Sequence, residues 1–525
     1  MHNTILGLIA TICLIFAVCT TVKGRYILIR WLIAGFVAVL CLFWAIQFQL
    51  QCPLDLLWLG MNAGFLGEAG VLKTGLQFIG LRGCTVVIIS IASVIFLTRG
   101  KRISHWQLPA SFFGCWLLFG IFGDWDPAIN LIPAIDTIRK TLHSRSDPWN
   151  GISPDTNRVT STITNALKIK PHVIVVVIEE SLTSRWINET NSFGQEITPT
   201  LNKLATSSDY WGNHLANAGY TIKAQEAILG GWIASGKEQA VERPNLAFTG
   251  LATQLQQNGY YPLFIQGTAS SIYGKTLDTM RKIGFAEIIS GGYFKSKTMQ
   301  VSPDGWGIDD VSLFTGALNY IDKVQATNDY VFVCITTIEN HYPFGTGSTE
   351  SLRYQQSITR ADSALNLFLQ EVKKRKYMDD SLIVVTGDHA FLCGEFGGVY
   401  NLSFPYQEAF MVPLLILNNQ INPQYHTQLS SHIDIAPTIL DLIGGVASPN
   451  WQGYSLYHTN RPNQVVLTQP FGGNYIVLIQ DREKLVIDQS RGIVIEYPLD
   501  TKGRDQLQHL TQPKLSMLQK AAAYK

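Results

Sequence analysis

The chain has 525 residues, of which 46% are hydrophobic and only 15% are charged. It is longer than one ordinary domain, and its charged share lies well below the roughly 25% of a typical soluble domain. The 40 Lys and Arg residues nearly balance the 39 Asp and Glu residues, so no basic excess indicates a nucleic-acid partner. Composition therefore favours a membrane-attached protein and excludes the nucleic-acid-binding class.

Four apolar runs approach the roughly 20 residues with which a helix crosses a bilayer. They cover residues 4–22, 27–48, 82–98 and 107–124. Residues 54–80 form a weaker apolar stretch interrupted by several glycines and Glu68, which favours an interfacial or re-entrant segment, with a fifth span as the alternative. Residues 1–124 are therefore predicted to be a transmembrane helical domain of about four spans.

Basic residues lie in the loop between the first two runs and in the loop between the last two. They are Lys23, Arg25, Arg30, Arg99, Lys101 and Arg102. Both loops are predicted to be cytoplasmic, so the chain leaves its last span on the opposite side of the membrane. The first run lacks a basic start and a small-residue cleavage site, so we expect it to be retained as an anchor.

The rest of the chain divides into a juxtamembrane linker, residues 125–170, and an extracytoplasmic domain, residues 171–525. From His172 onward, β-branched runs alternate with helical patterns, which predicts an α/β domain with a mainly parallel sheet covered on both faces. The predicted strands are V-I-V-V-V-I, Y-P-L-F-I, Y-V-F-V-C-I and L-I-V-V-T, and the predicted helices cover residues 196–206, 275–283 and 359–374.

Acidic and imidazole side chains follow two of the predicted strands. Glu179 and Glu180 end the first strand, and Asp388 and His389 follow the strand L-I-V-V-T. Ligands of open α/β sheets gather at the carboxyl ends of the strands. Carboxylate oxygens and an imidazole nitrogen suit zinc, manganese or magnesium better than copper(I) or an iron–sulfur cluster. The sequence therefore predicts a divalent metal centre at this edge.

A hydroxyl bound to a divalent cation loses its proton readily and becomes a nucleophile. Thr221, in A-G-Y-T-I-K-A-Q-E, is the candidate, and Ser181 is its competitor because it also follows a strand. Thr221 could alternatively be an ordinary helix N-cap. His214 is either a structural histidine or a substrate contact.

The domain resembles the sulfatase and alkaline-phosphatase superfamily, and within it the membrane branch of lipoteichoic acid synthases and phosphoglycerol or phosphoethanolamine transferases. The resemblance covers most of residues 170–460 and rests on the order of its segments. These are V-I-E-E-S-L, T-P-T-L-N-K-L-A, H-L-A-N-A-G-Y-T, F-I-Q-G-T-A-S-S-I-Y-G-K, W-G-I-D-D, N-H-Y-P-F, T-G-D-H and H-I-D-I-A-P-T-I-L-D-L-I-G.

The resemblance implies a mixed sheet flanked by helices, one divalent metal and a covalent phosphothreonine intermediate on Thr221. The implied metal ligands are Glu180, Thr221, Asp388 and His389. Glu180 is preferred to Glu179 because the family's glutamate directly precedes a serine. His341 of N-H-Y-P-F matches a histidine that the family uses at the phosphate, where it could act as an acid or a base.

The segment that would contact the substrate departs from the lipoteichoic acid synthase pattern. Gln266, Tyr273 and Lys275 stand where those enzymes carry a histidine, a tryptophan and an arginine, and a lysine lacks the bidentate fork of an arginine. His432 is a further candidate, as a substrate contact or as a ligand of a second metal, with a surface residue as the alternative. The segment from Trp306 to Asp310 is interpreted as the start of a helix.

The expected activity is transfer of a phospho-head group from a membrane phospholipid to a glycan or glycolipid acceptor of the cell envelope. Phosphoglycerol is favoured over phosphoethanolamine, and zinc or manganese over magnesium, with a second metal conceivable. The expected location is a bacterial cell membrane. The alternatives are a sulfatase or phosphodiesterase hydrolase, although Thr221 lies in no C/S-x-P-x-R motif, and a degenerate polymer-binding module.

Eight cysteines occur, and six of them lie in or directly after apolar stretches near the N terminus. Only Cys334 and Cys393 belong to the polar remainder of the chain. No disulfide framework is visible in this spacing. We expect Cys334 to be a buried strand thiol and Cys393 a loop thiol, rather than partners of a disulfide.

Overall fold

The computed structural model describes much of the chain between residues 166 and 509. The described residues are 166–234, 239–242, 249–268, 276–294, 306–345, 347–375, 379–393, 404–469, 474–489, 493–501 and 503–509. The predicted spans, the stretch 54–80 and the linker up to residue 165 lie outside them. None of the helices within these ranges combines the length and the apolar character that crossing a membrane requires.

The described strands form three sheets. In chain order they are β1 (Val173–Glu179), β2 (Asp209–Trp211), β3 (His214–Leu215), β4 (Tyr261–Gln266), β5 (Glu287–Ser290), β6 (Val331–Thr336), β7 (Leu382–Gly387), β8 (Leu414–Leu417), β9 (Gln424–His426), β10 (Ser430–Ser431), β11 (Gln464–Gln469), β12 (Tyr475–Gln480), β13 (Glu483–Asp488) and β14 (Ile493–Pro498). The central sheet has the order β5-β4-β6-β1-β7-β8-β2-β9. A pair, β3 with β10, and an antiparallel sheet, β11 to β14, complete the set.

The centre of the large sheet is parallel, as the sequence predicts. Strand β1 lies between β6 and β7 and pairs with both in parallel, while β8 pairs with β7 and β2 in antiparallel fashion. The sheet is therefore mixed and mainly parallel. All four predicted strands are confirmed, because each coincides with one of β1, β4, β6 and β7.

Eight α-helices are described alongside the sheets. They are α1 (Pro199–Ser207), α2 (Thr221–Gly230), α3 (Leu251–Gln257), α4 (Thr276–Ile283), α5 (Gly291–Phe294), α6 (Asp310–Gln325), α7 (Glu350–Val372) and α8 (Ile435–Leu442). The predicted helices at residues 196–206 and 275–283 are confirmed as α1 and α4.

Strand β1 shows why helices cover both faces of the sheet. Its seven residues are all buried, and the side chains of a strand alternate between the two faces. Val173, Val175 and Val177 belong to the apolar cluster that contains the inner sides of α6 and α7. The side chains in between join a second cluster, formed with α2, α3, α4 and α8. Two cores therefore enclose the parallel strands.

The prediction for α7 was too short at its start. The structure begins this helix at Glu350, nine residues before the predicted residue 359, and Thr349 caps it by accepting a hydrogen bond from the Leu352 amide at 3.2 Å. The extra turns contain exposed polar residues, but the buried Tyr354 and Ile358 continue the same apolar face. The Thr349 cap and the buried side chains of Tyr354 and Ile358 therefore define the first turns of α7.

The antiparallel sheet β11 to β14 was not among the predicted elements. One part of it packs on Phe410 and Val412, and another part packs on Ala227 of α2 and on Ile233. The sheet is thus attached directly to the helix that begins at Thr221. Cys334 and Cys393 are both free thiols, and Cys334 is buried in β6 as expected.

Asp362 of α7 caps a different helix, α1. Its two carboxylate oxygens accept hydrogen bonds from the amides of Thr200 at 2.9 Å and Leu201 at 2.8 Å, while the cap residue Thr198 makes no side-chain cap bond. Burial raises the pKa of the Asp362 carboxyl. The bond pair fixes α1 to α7 through charge-assisted contacts.

Asp362→Ala should lower the free energy of unfolding by about 2–4 kcal/mol, because it leaves two amides at the start of α1 without their hydrogen-bond acceptor. Asp362→Asn, which keeps one acceptor oxygen, should lose less. Urea unfolding followed by tryptophan fluorescence measures both. Asp278→Ala is the control, since Asp278 forms only an exposed pair with Arg281 at 2.7 Å, which should contribute less than about 1 kcal/mol. Equal losses in the Asp362→Ala and control variants would contradict the capping role.

Candidate metal centre

The pairing of β1 with β7 brings the two predicted strand ends together. Glu179 lies opposite Gly387 in the parallel register, and the amide of Asp388 donates to the Glu179 carbonyl at 3.1 Å. Glu180, Asp388 and His389 each offer one ligand atom, and these atoms all lie within 4.8 Å of one another. All three side chains are buried. The expected cluster of two carboxylates and one imidazole is therefore present at the carboxyl edge of the sheet.

Ser181 holds two members of this cluster in place. Its amide donates to Asp388 Oδ1 at 2.7 Å, and its hydroxyl donates to Glu180 Oε1 at 2.8 Å. The backbone of Ser181 has a φ of 51°, in the left-handed region, and the hydroxyl of Tyr354 donates to its carbonyl. The serine that seemed a competing nucleophile thus orients the carboxylates, a role that the E-E-S sequence alone does not reveal.

Thr221 lies beside the cluster. Its Oγ1 is 3.3 Å from Glu180 Oε2 and 3.5 Å from His389 Nε2. Thr221 is the first residue of α2, and Tyr220 occupies the N-cap position, so the interpretation of Thr221 as an ordinary N-cap is wrong. The hydroxyl lies at a helix N-terminus, where amide groups and the helix dipole favour an anion.

The donor atoms fit a divalent cation. Asp388 Oδ2 is buried and has no hydrogen-bond partner, although a buried carboxylate oxygen normally has one. His389 Nδ1 lies 3.1 Å from the Ala390 carbonyl, so Nδ1 carries the proton and Nε2 presents a lone pair towards the carboxylates. Two buried carboxylates facing an imidazole lone pair repel one another, and a cation bound among them would remove that repulsion.

His341 is held as a neutral imidazole. Its Nδ1 donates to the Tyr342 carbonyl at 2.7 Å, which leaves the lone pair on Nε2. Burial lowers the pKa of His341 to about 4; the bond to Tyr342 opposes this change and the nearby His389 adds to it. The indole of Trp306 lies 4.2 Å from the imidazole, centroid to centroid. His341 is therefore neutral at pH 7, with its proton on Nδ1 and its lone pair on Nε2.

His432 and His214 form a buried pair behind β7. The Nε2 of His432 donates to the Gly387 carbonyl at 2.9 Å, directly before Asp388, so the expectation of a surface residue is wrong. The two rings lie 5.5 Å apart, and His214 Nδ1 contacts the Ser430 hydroxyl at 2.9 Å. Burial lowers the pKa of His432 to about 3 and that of His214 well below its usual value. Both rings are therefore neutral at pH 7.

The expected substrate contacts are only partly described. Gln266 ends β4 at the same carboxyl edge and is buried. Tyr273 and Lys275 lie outside the described residues. The role of these three side chains stays a prediction.

A family model described as Sulfatase matches residues 171–446 of the chain. Lipoteichoic acid synthase 1 of Bacillus subtilis is 25% identical over 282 residues, which is 48% of this chain and 42% of that protein. Lipoteichoic acid synthase of Staphylococcus aureus is 23% identical over 303 residues, which is 52% of this chain and 45% of that protein. The matched region thus spans less than half the length of these curated relatives.

Two solved structures are similar in fold. A protein of the alkaline phosphatase superfamily from Vibrio parahaemolyticus aligns with a TM-score of 0.58 and 21% identity, over 74% of this chain and 94% of that one. The lipoteichoic acid synthase LtaP from Listeria monocytogenes aligns with a TM-score of 0.57 and 17% identity, over 71% of this chain and 93% of that one. At these identities the alignments establish the fold alone.

Two adjacent glutamates provide a matched pair of variants for the metal centre. Glu180→Gln should abolish retention of a divalent cation, because it removes a charged ligand oxygen from the cluster. Glu179→Gln should retain the cation, since Glu179 Oε2 accepts instead from the Thr337 hydroxyl at 3.3 Å. Metal content after gel filtration, measured by mass spectrometry of the ions, tests both. Equal metal content in the two variants would contradict the assignment of Glu180.

Acidification should destabilise the fold through His341 and His432. The pKa of each is lower in the folded state than the usual value of about 6.5, so the unfolded chain binds more protons and stability is lost as the pH falls below about 6.5. Between pH 8 and pH 5 each histidine should remove about 2 kcal/mol. His509 is exposed, so His509→Gln is the control for replacing a histidine.

Urea unfolding at pH 8, 6 and 5 gives the unfolding free energies of wild type and His432→Gln. Their difference isolates the contribution of His432 to the acid sensitivity. The carboxyls of Glu179 and Asp310 act in the opposite direction, because burial raises their pKa well above the usual range. Their contribution cancels in the comparison. The loss on acidification should shrink in His432→Gln and stay unchanged in His509→Gln. A full acid loss in His432→Gln would show that His432 is not responsible.

Proposed function

The chain belongs to the sulfatase family, and from that premise we propose that it transfers a phosphoglycerol head group from a membrane phospholipid to a glycan or glycolipid acceptor of the cell envelope. The reaction proceeds in two steps through a phosphothreonine at residue 221. A phosphoethanolamine head group is the second choice. The names of the curated relatives support the first choice, since they are lipoteichoic acid synthases.

The observation that carries the proposal is the position of the Thr221 hydroxyl. It lies 3.3 Å from Glu180 Oε2 and 3.5 Å from His389 Nε2, and it stands at the start of α2. A nucleophile needs a nearby acceptor for its proton and a site that tolerates developing negative charge. The helix N-terminus supplies the second condition, and a divalent cation held by Glu180 and His389 beside the hydroxyl would ease the loss of its proton.

We assign the bound divalent cation to Glu180, Thr221, Asp388 and His389. Zinc and manganese suit these donors best, with magnesium behind them. When bound, the cation would neutralise charge on the phosphoryl oxygens and ease the loss of the threonine proton. Ser181 supports the same function by holding the Glu180 and Asp388 carboxylates through hydrogen bonds of 2.8 and 2.7 Å.

In the first step the Thr221 oxygen forms a bond to phosphorus, and the bond from phosphorus to the diacylglycerol oxygen breaks. Diacylglycerol leaves with a proton. In the second step an acceptor hydroxyl forms the new bond to phosphorus, and the Thr221 oxygen leaves and recovers a proton. His341 is our candidate for moving one of these protons, because it is a neutral imidazole close to His389 and its Nδ1 is fixed by the Tyr342 carbonyl.

Membrane attachment completes the proposal. The apolar runs within residues 1–124 and the basic loops between them support a multi-pass protein of a bacterial cell membrane with an extracytoplasmic catalytic domain. Donor lipid is then available at the membrane face on which the domain lies. A second metal, for which His432 was considered, is not part of the proposal.

Purified full-length protein with fluorescent phosphatidylglycerol should release labelled diacylglycerol, and a chelator should stop the release. Thr221→Ala should lower the rate at least about 1,000-fold, because no residue replaces the nucleophile. Thr183→Ala is the control: its hydroxyl donates to the Met411 carbonyl at 3.2 Å and accepts from the Arg185 amide at 3.3 Å, and neither partner is a candidate ligand. Mass spectrometry of the wild-type peptide should find glycerophosphate on Thr221.

Each other outcome has a defined meaning. A faster reaction with phosphatidylethanolamine, with phosphoethanolamine on Thr221, would replace the head group. Release of free glycerophosphate to water at the same rate with and without acceptor would favour the hydrolase. Full activity in Thr221→Ala, or turnover unaffected by chelation, would refute the mechanism.

A further inference from the structure

Two consecutive aspartates at the start of α6 have different tasks. Asp309 is the N-cap, and its carboxylate accepts from the Ser312 amide at 3.0 Å and from the Ser312 hydroxyl at 2.6 Å. The start of the helix is therefore satisfied without Asp310. Asp310 is nevertheless completely buried, which has a high desolvation cost for a carboxylate. Its burial requires another explanation.

Asp310 bonds to the loop that carries His341. Its Oδ1 accepts from the amides of Ile338 at 3.4 Å and Glu339 at 3.3 Å. In return, the amide of Asp310 donates to Glu339 Oε2 at 3.2 Å. The start of α6 and the loop after β6 are thus joined by reciprocal hydrogen bonds, three residues before the histidine.

The other end of the same loop is also held. Arg360 of α7 donates from Nε to Glu339 Oε1 at 2.7 Å and from a terminal nitrogen to the Phe344 carbonyl at 3.4 Å. Inside the loop, the His341 amide donates to the Ile338 carbonyl at 3.0 Å. Residues 338–344 therefore have fixed ends and an internal turn, with the imidazole between them.

Trp306 fixes the imidazole from the side. The next residue, Gly307, lies so close to the end of β4 that a Cβ atom there would be 2.2 Å from the Gly267 carbonyl oxygen, and the Ile308 amide donates to the same oxygen at 3.1 Å. The backbone next to the indole is thus anchored to the sheet. The indole is buried, and its ring centroid lies 4.2 Å from that of His341 with a tilt of 47°.

We propose that Trp306 and Asp310 position His341: Asp310 fixes the loop, and Trp306 fixes the ring. This inference rests on the proposed function for its chemical consequence, the proton transfer by His341. Proton transfer depends steeply on the placement of the acid or base, so a loosened histidine loses rate even though it remains present. The segment is more than the start of a helix, and only Asp309 has that simple role.

A double-mutant cycle with His341→Gln tests the inference on full-length protein in detergent. Asp310→Ala and Trp306→Ala should each lower kcat by about 10- to 100-fold with KM nearly unchanged. Neither should cause a further loss in the His341→Gln background, because residues that act through one group are not additive. Independent, multiplicative losses would refute the positioning role.

Two further variants separate positioning from folding. Asp310→Asn keeps an oxygen for the two loop amides and should recover most of the rate that Asp310→Ala loses. Asp309→Ala removes only the helix cap, so it should lower the melting temperature and leave kcat unchanged. Equal kcat in Asp309→Ala and Asp310→Ala would mean that the helix, and not the loop, matters. If Asp310→Ala does not fold, the double-mutant cycle of Trp306→Ala with His341→Gln tests the inference.

A second readout does not require the proposed reaction. Diethyl pyrocarbonate modifies a free imidazole nitrogen, and peptide mass spectrometry gives the rate at His341. The rate should rise several-fold in Asp310→Ala and Trp306→Ala and stay at the wild-type value in Asp309→Ala. An unchanged rate in the first two variants overturns the inference even if the transferase activity is established. A raised rate supports it even if no lipid is cleaved.

Discussion

The candidate site depends on the parallel pairing of β1 with β7. Glu179 lies opposite Gly387, so the next residues on the two strands, Glu180 and Asp388, leave the sheet side by side. Apolar runs buried on both faces specify this register weakly, because neighbouring residues are equally apolar. Contacts at the strand ends fix it instead. A Cβ atom at Gly387 would lie 2.2 Å from the Leu182 carbonyl oxygen, so only glycine permits the close approach through which Ser181 reaches Asp388.

Charge at this edge is divided between two neighbouring networks that share one threonine. The Thr337 hydroxyl accepts from the Glu180 amide at 2.9 Å and donates to Glu179 Oε2 at 3.3 Å. On one side, Glu180 faces the metal centre. On the other side, burial and neighbouring acids raise the pKa of the Glu179 and Asp310 carboxyls. Adjacent glutamates at the end of β1 thus belong to different networks.

The sequence predicted the parts of this arrangement that are local. Apolar runs identified β1 and β7, and the polar residues at their ends identified Glu179 or Glu180 together with Asp388 and His389, because strand ends in a parallel sheet meet at one edge. The family resemblance chose Glu180 over Glu179. The resemblance to a known superfamily, and no spacing rule, singled out Thr221. What the sequence did not predict depends on contacts between distant segments. The orienting role of Ser181 depends on its hydrogen bond to Asp388, which is distant in sequence. The hold on the His341 loop likewise depends on the hydrogen bond between Asp310 and Ile338.

The antiparallel sheet near the C terminus consists of consecutive, locally paired strands that were not among the predicted elements, and it supports the segment that carries Thr221, the proposed nucleophile. The Asn217 side chain donates to the Val466 carbonyl at 2.7 Å and accepts from the Ile433 amide at 3.0 Å, and the Thr468 amide donates to the Asn217 carbonyl at 2.8 Å. Asn217 lies shortly before Thr221 in the chain, so its hydrogen bonds to β11 hold the segment that leads into α2. The match to the family model ends at residue 446, before β11 begins. The position of Thr221 therefore depends on a part of the chain beyond that match. A protein cut at residue 446 would keep every candidate ligand but lose the contacts that support the proposed nucleophile.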